Sequence, residues 1–535
     1  MKDSFFRTMT WLHTWVGLLV CWVLLLVFFA GTLSYYRHEI SLWNQPELHK
    51  EVFQSYDNTR LAEQLSQGED YLRQNAVNAQ RWLIEFPTER HPMLSYGWQQ
   101  PPEPGQRRGA FSEHLVKADN SGYVTEVRES RGGNFFYRLH FDLHYISAIT
   151  ARWIVGFCTM FMLLAIISGI VIHKRIFKDF FSFRPGKGSR SWLDAHNVSS
   201  VLALPFHLMI TYTGLITLMI IYMPWGILVN YDSDRREFIN EARPGSSFTR
   251  IAAANEAAPQ LPLASLLPKV QQTFAELPLK SVSVINPDDA NSRVMVTFNT
   301  GEQVTERELF MVFSGTDGEL LYSADNDISA AKATHDAMMS LHTARFSGPA
   351  LRGLFFLLGL SGCVMIASGT LMWAVKIRQK QQKAISQGAK PSLGLRLVET
   401  LNLMFILGLP LGTVAFFYAN RLLPASLPGR SQWEVHSFFI LLLISGLLAI
   451  WRRDRAMWRA QLTVLTASLA FLPLLNALTS PANLLSNLAA GQWQLAGFDL
   501  LALAFAALGL FAFKRLGRQP MKQTAKAQKL QAVRG

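Results

Sequence analysis

The chain has 535 residues, half of them hydrophobic, with only 17% charged. A soluble chain of this kind carries about 25% charge. The apolar residues fall in runs near the roughly 20 residues a helix needs to cross a bilayer core, which excludes a purely soluble enzyme and a disordered chain. Net charge is +13. Lys514, Arg515, Arg518, Lys522, Lys526, Lys529 and Arg534 form a basic tail without acidic residues. Such a tail fits a cytoplasmic segment touching anionic lipid, so no nucleic-acid partner is expected.

The apolar runs predict eight transmembrane helices: Trp11–Tyr36, Ile146–Ile172, Val198–Met223, Leu351–Val375, Leu397–Phe417, Trp433–Ile450, Leu462–Leu478 and Leu495–Phe513. The first is too long for a signal-peptide core and reads as a retained anchor. Lys2 and Arg7 precede it. Basic segments follow the second span (Lys174, Arg175, Lys178, Arg184, Lys187, Arg190), the fourth (Lys376, Arg378, Lys380, Lys383), the sixth (Arg452, Arg453, Arg455) and the eighth. Short basic loops stay in the cytoplasm, so both termini are expected inside.

The division that follows is a first helix over 1–36 and an outward module over 37–145. Helices two and three with a basic loop fill 146–223, and a second outward module fills 224–350. Helix four spans 351–375, a basic linker 376–396, helices five to eight 397–513 and the tail 514–535. The two modules read as diverged copies of an α+β unit. Helical stretches are predicted at Leu61–Asn75 and Leu263–Leu277, and β-prone runs at Arg81–Phe86, Ser281–Ile285 and Arg293–Phe298. Leu115–Val124 and Phe310–Leu320 hold Asp, Asn and Gly between apolar residues, a hairpin signal. Pro101–Gly105 reads as a loop insertion. A Leu-His pair precedes span two (Leu139-His140) and span four (Leu341-His342), so the first 375 residues repeat one plan. The last four spans look poor in ionisable residues and read as an appended bundle.

Cys21, Cys158 and Cys363 each lie in an apolar run. No Cys-x-x-Cys-His occurs, which excludes covalent c-type haem attachment, and no Cys pair suggests zinc or iron–sulfur. Gly186–Ser189 lacks the spacing of a phosphate loop, and no Gly-x-Gly-x-x-Gly marks a built-in dinucleotide domain.

Of 13 histidines, His38, His49, His91 and His114 read as surface residues. His335 lies just before His342, and His436 stands alone near the start of span six. The rest gather at membrane edges or inside spans: His13, His173, His196 and His207 on the inner side, His140, His144 and His342 on the outer. An ionisable group at membrane depth defaults to function, and neutral imidazole is an axial haem ligand. His140 and His144 are four apart and share a face if the helix begins early. His196 and His207 are eleven apart, about 16 Å along a helix, so one helix serves two depths. Two stacked haems, each held by histidines from different helices, would make an electron path across the bilayer. Lipid-headgroup contact and helix capping stand beside this as the ordinary roles of membrane-edge histidines. Arg138, Arg152 and Arg345 flank the outer histidines with forks suited to haem propionates or to interface positioning.

His13-Thr14-Trp15-Val16-Gly17-Leu18, Leu139-His140-Phe141-Asp142-Leu143-His144, Trp192-Leu193-Asp194-Ala195-His196-Asn197, Leu204-Pro205-Phe206-His207, Leu341-His342-Thr343-Ala344-Arg345-Phe346 and Gly369-Thr370-Leu371-Met372-Trp373 resemble the PepSY-associated transmembrane helix family over about residues 1–380. The resemblance implies a multi-pass protein of the bacterial inner membrane with two periplasmic PepSY-like modules. It further implies a reductase similar to ferric-siderophore reductases, with b-type haem on transmembrane histidines, here two haems. Electrons would come from a quinol or a cytoplasmic donor and go to an Fe(III) chelate. A haem-free scaffold that binds an envelope partner, or a transporter, remains the alternative.

Overall fold

Among the described residues, eight helices are long and apolar enough to cross a membrane: Ser4–Ser34, Ala148–Ile172, Leu204–Tyr222, Pro349–Ser386, Leu393–Leu422, Arg430–Trp451, Arg455–Thr479 and Trp493–Gly517. Each overlaps one expected span. The computed structural model describes residues 2–517, except 53–59, 106–108, 174–183, 185–188, 233, 243–244, 249, 276, 302–303, 305–308 and 325–329. Most of the basic loop after span two, and the tail beyond Gly517, lie outside the described residues.

The helices in chain order are α1 (Lys2–Ser34), α2 (Arg37–Trp43), α3 (Leu61–Asn75), α4 (Gly132–Asp142), α5 (Ala148–Ile172), α6 (Ser189–Leu202), α7 (Leu204–Tyr222), α8 (Trp225–Asn230), α9 (Arg235–Ala242), α10 (Gly245–Phe248), α11 (Leu267–Phe274), α12 (Ala330–Thr343), α13 (Pro349–Ser386), α14 (Leu393–Ile406), α15 (Gly408–Leu422), α16 (Arg430–Trp451), α17 (Arg455–Thr479), α18 (Leu484–Ala489) and α19 (Trp493–Gly517). The strands are β1 (Arg81–Glu85), β2 (Ser95–Gln99), β3 (Phe111–Val116), β4 (Tyr123–Val124), β5 (Leu279–Ile285), β6 (Arg293–Phe298), β7 (Phe310–Ser314) and β8 (Leu320–Ser323). The chain forms two units. One comprises Met1–Pro46, Arg128–Leu215 and Pro349–Gly535; the other comprises Glu47–Val127 and Ile216–Gly348.

In the first unit, α1 packs on α5, α4 and α13, and α6 packs on α13. Inside a bilayer a helix satisfies its own backbone groups, which is why such apolar runs fold this way. Leu19, Ile149, Phe157, Leu357, Leu447 and Leu508 stay exposed, as side chains solvated by lipid do. The expected third span is two helices, broken at Ala203, because Pro205 has no amide hydrogen to give the preceding turn. The fifth span breaks likewise at Leu407, next to Gly408 and Pro410.

The few ionisable residues of the last four helices include buried charges. Arg430 and Glu434 are both completely buried and pair at 2.6 Å. Glu434 also accepts from Ser130 Oγ (2.8 Å) and Asn420 Nδ2 (2.7 Å), and Arg430 donates to the Glu129 carbonyl at 2.8 Å. A second network joins α2 to the bundle. Trp43 Nε1 donates to Asp499 (3.1 Å), Asn476 Nδ2 donates to Asp499 (2.9 Å), and Arg421 donates to Asn476 Oδ1 (2.9 Å) and the Trp43 carbonyl (2.5 Å). Trp22 Nε1 reaches Asn402 of α14 at 3.2 Å. The last four spans are bonded into the first four by these groups. They are not merely appended.

The second unit holds one eight-stranded antiparallel sheet in the order β4-β3-β2-β1-β5-β6-β7-β8. The two expected modules are halves of this sheet, joined where β1 pairs β5 with Leu83 opposite Ser283. Arg81 Nε donates to Ser283 Oγ across the seam at 2.7 Å. Leu65, Leu72, Ile84, Tyr96, Val282, Val284, Val296, Phe298 and Phe313 form a single apolar core spanning both halves. The hairpin turns use Asn120 (φ 57°) and Gly318 (φ 70°), as their composition predicts. The expected helix over Leu263–Leu277 is a 3-10 turn, Leu263–Leu266, running into α11.

Arg430→Met leaves Glu434 buried without its cation. The expected loss is about 3–5 kcal/mol, read as a lower thermal unfolding temperature of the full chain in detergent, with partial recovery in Arg430→Met/Glu434→Leu.

Candidate functional site

Four histidines of the first unit meet a helix in the same way. His13 on α1 lies over Gly169 of α5, where an added Cβ would stand 3.2 Å from the ring. Its Nδ1 is 2.9 Å from the carbonyl of Ala165, four residues before that glycine. His196 on α6 lies over Gly369 of α13 at the same 3.2 Å, with Nδ1 2.8 Å from the carbonyl of Met365. Ala165 and Met365 again precede their glycine by one turn. Ser168 and Ser368, beside the two glycines, repeat the likeness: each hydroxyl donates back to its own helix, at 2.7 Å to Leu164 and 2.6 Å to Val364.

A carbonyl can only accept, so Nδ1 carries the hydrogen in both rings and Nε2 keeps its lone pair. The two rings meet edge to face. Their centres are 6.2 Å apart with planes inclined 71°. Arg184 holds α6 at its start: Nη2 and Nε bond the Asp194 carboxylate at 2.9 and 3.0 Å and keep that carboxyl below the usual range.

His140 on α4 repeats the contact on α1. Its Nδ1 is 2.7 Å from the carbonyl of Val27, and a Cβ on Gly31 would stand 2.6 Å from the ring. His207, 1% exposed, lies beside Gly362 of α13 and edge-on to Phe28, with centres 6.1 Å apart. The Leu358 carbonyl, again four before the glycine, faces this ring, yet neither ring nitrogen closes a hydrogen bond. Val27 lies 14 residues beyond His13 on α1, so the two histidine levels are about 21 Å apart along that helix. His196 and His207 do not share one helix, because the chain breaks at Ala203; both nevertheless rest on α13.

The remaining expected residues lie elsewhere. His173 caps α5 with its amide on Gly169 O at 3.1 Å, and its Nδ1 is buried with no hydrogen-bond partner among the described residues. His144 does not share a helix face with His140, because α4 ends at Asp142 and Leu143 turns left-handed. Its ring lies flat on Phe439 of α16, with centres 5.4 Å apart. His342 belongs to the second unit, half-buried in the last turn of α12. Arg138 and Arg152 both grip Asp142, each at 2.9 Å. His49, expected at the surface, is completely buried. His114 bonds Tyr71, and His38 takes the Arg37 Nε hydrogen at 3.1 Å.

The glycines were the part missed in the sequence. Their signal was available: Ser168-Gly169 and Ser368-Gly369 occupy the same place in spans two and four, and small residues mark close approach between membrane helices.

A family profile described as PepSY-associated TM region matches residues 10–376. That stretch includes all four histidine contacts. No curated protein matches the chain.

Gly169→Leu and Gly369→Leu drive a side chain into the His13 and His196 rings. Each is expected to destabilise by about 1–3 kcal/mol, measured by thermal unfolding in detergent. Gly17→Leu, where a Cβ meets nothing within 4 Å, is expected to leave the midpoint unchanged.

Proposed function

We propose that this chain, which belongs to the PepSY-associated TM region family, is a haem-bearing reductase that passes electrons through its first four spans to an Fe(III) chelate of the ferric-siderophore kind. The observation that carries this reading is the His13–His196 pair. A metal–imidazole bond is about 2.0–2.1 Å and the ring centre lies roughly 1.1 Å further, so two imidazoles on opposite sides of one metal hold their centres about 6.3 Å apart. The two rings stand at 6.2 Å, each with Nε2 unprotonated. These residues fit a bis-histidine haem iron, which when bound supplies a one-electron carrier.

The chain's own groups prepare that site. Ala165 and Met365 fix the tautomer and orientation of the two rings and raise their basicity as ligands. Gly169 and Gly369 leave room for the imidazoles against their helices. The apolar walls of α1, α5, α6 and α13 keep water from the rings. For a second b-type haem, His140 and His207 of the first unit are the candidates. Their contacts give His144 and His173 no part in the repeated arrangement.

In this reading the protein lies in a bacterial inner membrane with both termini in the cytoplasm. Residues 37–145 and 224–350 are then the periplasmic PepSY-like modules, beside which the Fe(III) chelate is reduced. Electrons enter from a quinol or a cytoplasmic donor.

Protein purified from haem-replete cells is expected to show a reducible b-type α-band and two haems per chain. His13→Leu and His196→Leu are each expected to remove one haem equivalent. The dithionite-reduced protein is expected to be reoxidised by a ferric hydroxamate. A colourless preparation overturns the reading and leaves a membrane scaffold.

A further inference from the structure

At the start of α16 a second group of side chains lies outside the histidine pair. Tyr145 Oη and His436 Nδ1 share a hydrogen bond, and the two rings stack with centres 5.8 Å apart and planes inclined only 9°. His144 lies parallel to Phe439 at 5.4 Å, and Tyr145 touches the same ring at 4.8 Å. Trp433 stands edge-on to His436 at 5.4 Å. The backbone is unusual here. Leu143, His144 and Tyr145 all have positive φ, at 53°, 53° and 51°. Non-glycine residues hold that conformation only where the surroundings impose it, and such strain gathers at ligand sites. The side chains around the group face outward: Tyr145 is 61% exposed, Trp433 49% and Ile440 49%. In a membrane-spanning chain, exposed aromatic and apolar side chains of this kind face lipid or its headgroups.

We infer that His144, Tyr145, His436 and Phe439 form a docking site for a lipid-soluble quinol, which would be the electron donor in the reading above and so rests on it. The ligand that suits this group is flat, dissolves in the bilayer, hydrogen-bonds to phenol and imidazole, and must lose protons as it loses electrons. A quinol meets all four demands.

The chemistry balances. Oxidation of the quinol to the quinone breaks two O–H bonds and turns two C–O bonds into C=O. The two electrons would leave singly for a haem held by the histidines of the first unit, the one-electron acceptor the reading above supplies. Each proton passes from the quinol oxygen to Tyr145 Oη as Tyr145 gives its own to His436 Nδ1. His436 then releases a proton from Nε2 to water at the membrane edge, and its ring turns over to offer the bare nitrogen to Tyr145 before the second proton follows. The hydrogen bond already in place between Tyr145 and His436 is the second leg of that relay.

The test mixes full-length, haem-loaded protein in detergent with decylubiquinol and follows the α-band. Wild type is expected to be reduced. Tyr145→Phe and His436→Gln are expected to be reduced at least tenfold more slowly, with haem content and the dithionite-reduced spectrum unchanged. Variants as fast as wild type overturn the inference, as does a wild type that dithionite reduces and decylubiquinol does not. Should the protein carry no haem, the reductase reading falls by itself, and binding of decylubiquinone is then read by fluorescence quenching with Trp433→Phe as the blank. Saturable quenching that Tyr145→Phe and His436→Gln abolish supports the site, and its absence in wild type overturns it.

Discussion

A carbonyl bonded within its own helix still has a second lone pair, and on this spare capacity the core of the first unit depends. Ala165, Met365 and Val27 each bond an imidazole from a neighbouring helix. The bond forms only because the residue one turn later is glycine, so nothing blocks the ring. A single contact of this sort does three things. It brings two helices close, it removes one polar nitrogen from lipid, and it forces the lone pair onto the other nitrogen. The rings of His13 and His196 then stand edge to face with their centres 6.2 Å apart. His207 meets the same arrangement of glycine and carbonyl but closes no hydrogen bond, so its ring is the least tied of the four.

The contact also explains the pseudo-symmetry. Span one and the α6–α7 pair supply the imidazoles, and spans two and four supply the Ser-Gly steps that receive them. The likeness extends to the serine hydroxyls, which turn back onto equivalent carbonyls. In the second unit the duplication is resolved differently. The two halves pair strand to strand at Leu83 and Ser283, so neither half ends in an open edge at the seam.

The last four spans add a different kind of order. Arg430 with Glu434, and Arg421 with Asp499 through Asn476, are buried polar groups that cost stability unless every partner is present. They tie α15, α16, α17 and α19 to Trp43 and to Glu129 and Ser130, which flank the stretch Glu47–Val127. Adjacent residues Asn420 and Arg421 belong to one network each, so α15 is where the two meet.

Spans, polar segments and the repeated plan were legible from sequence because apolar runs, turn residues and Leu-His pairs are local signals. The histidines inside spans were legible as a set, since an ionisable group in lipid is costly wherever the helix turns. Which ring faces which was not. Hydropathy does not report helix rotation, and the break at Ala203 and the end of α4 at Asp142 both change which histidines share a face. The β1–β5 seam and the Arg430–Glu434 and Arg421–Asp499 networks were likewise hidden, because their partners lie far apart along the chain. Composition and periodicity determine which segments enter the membrane. Only tertiary packing decides that the His13 and His196 rings meet, because that depends on glycines and carbonyls of other helices.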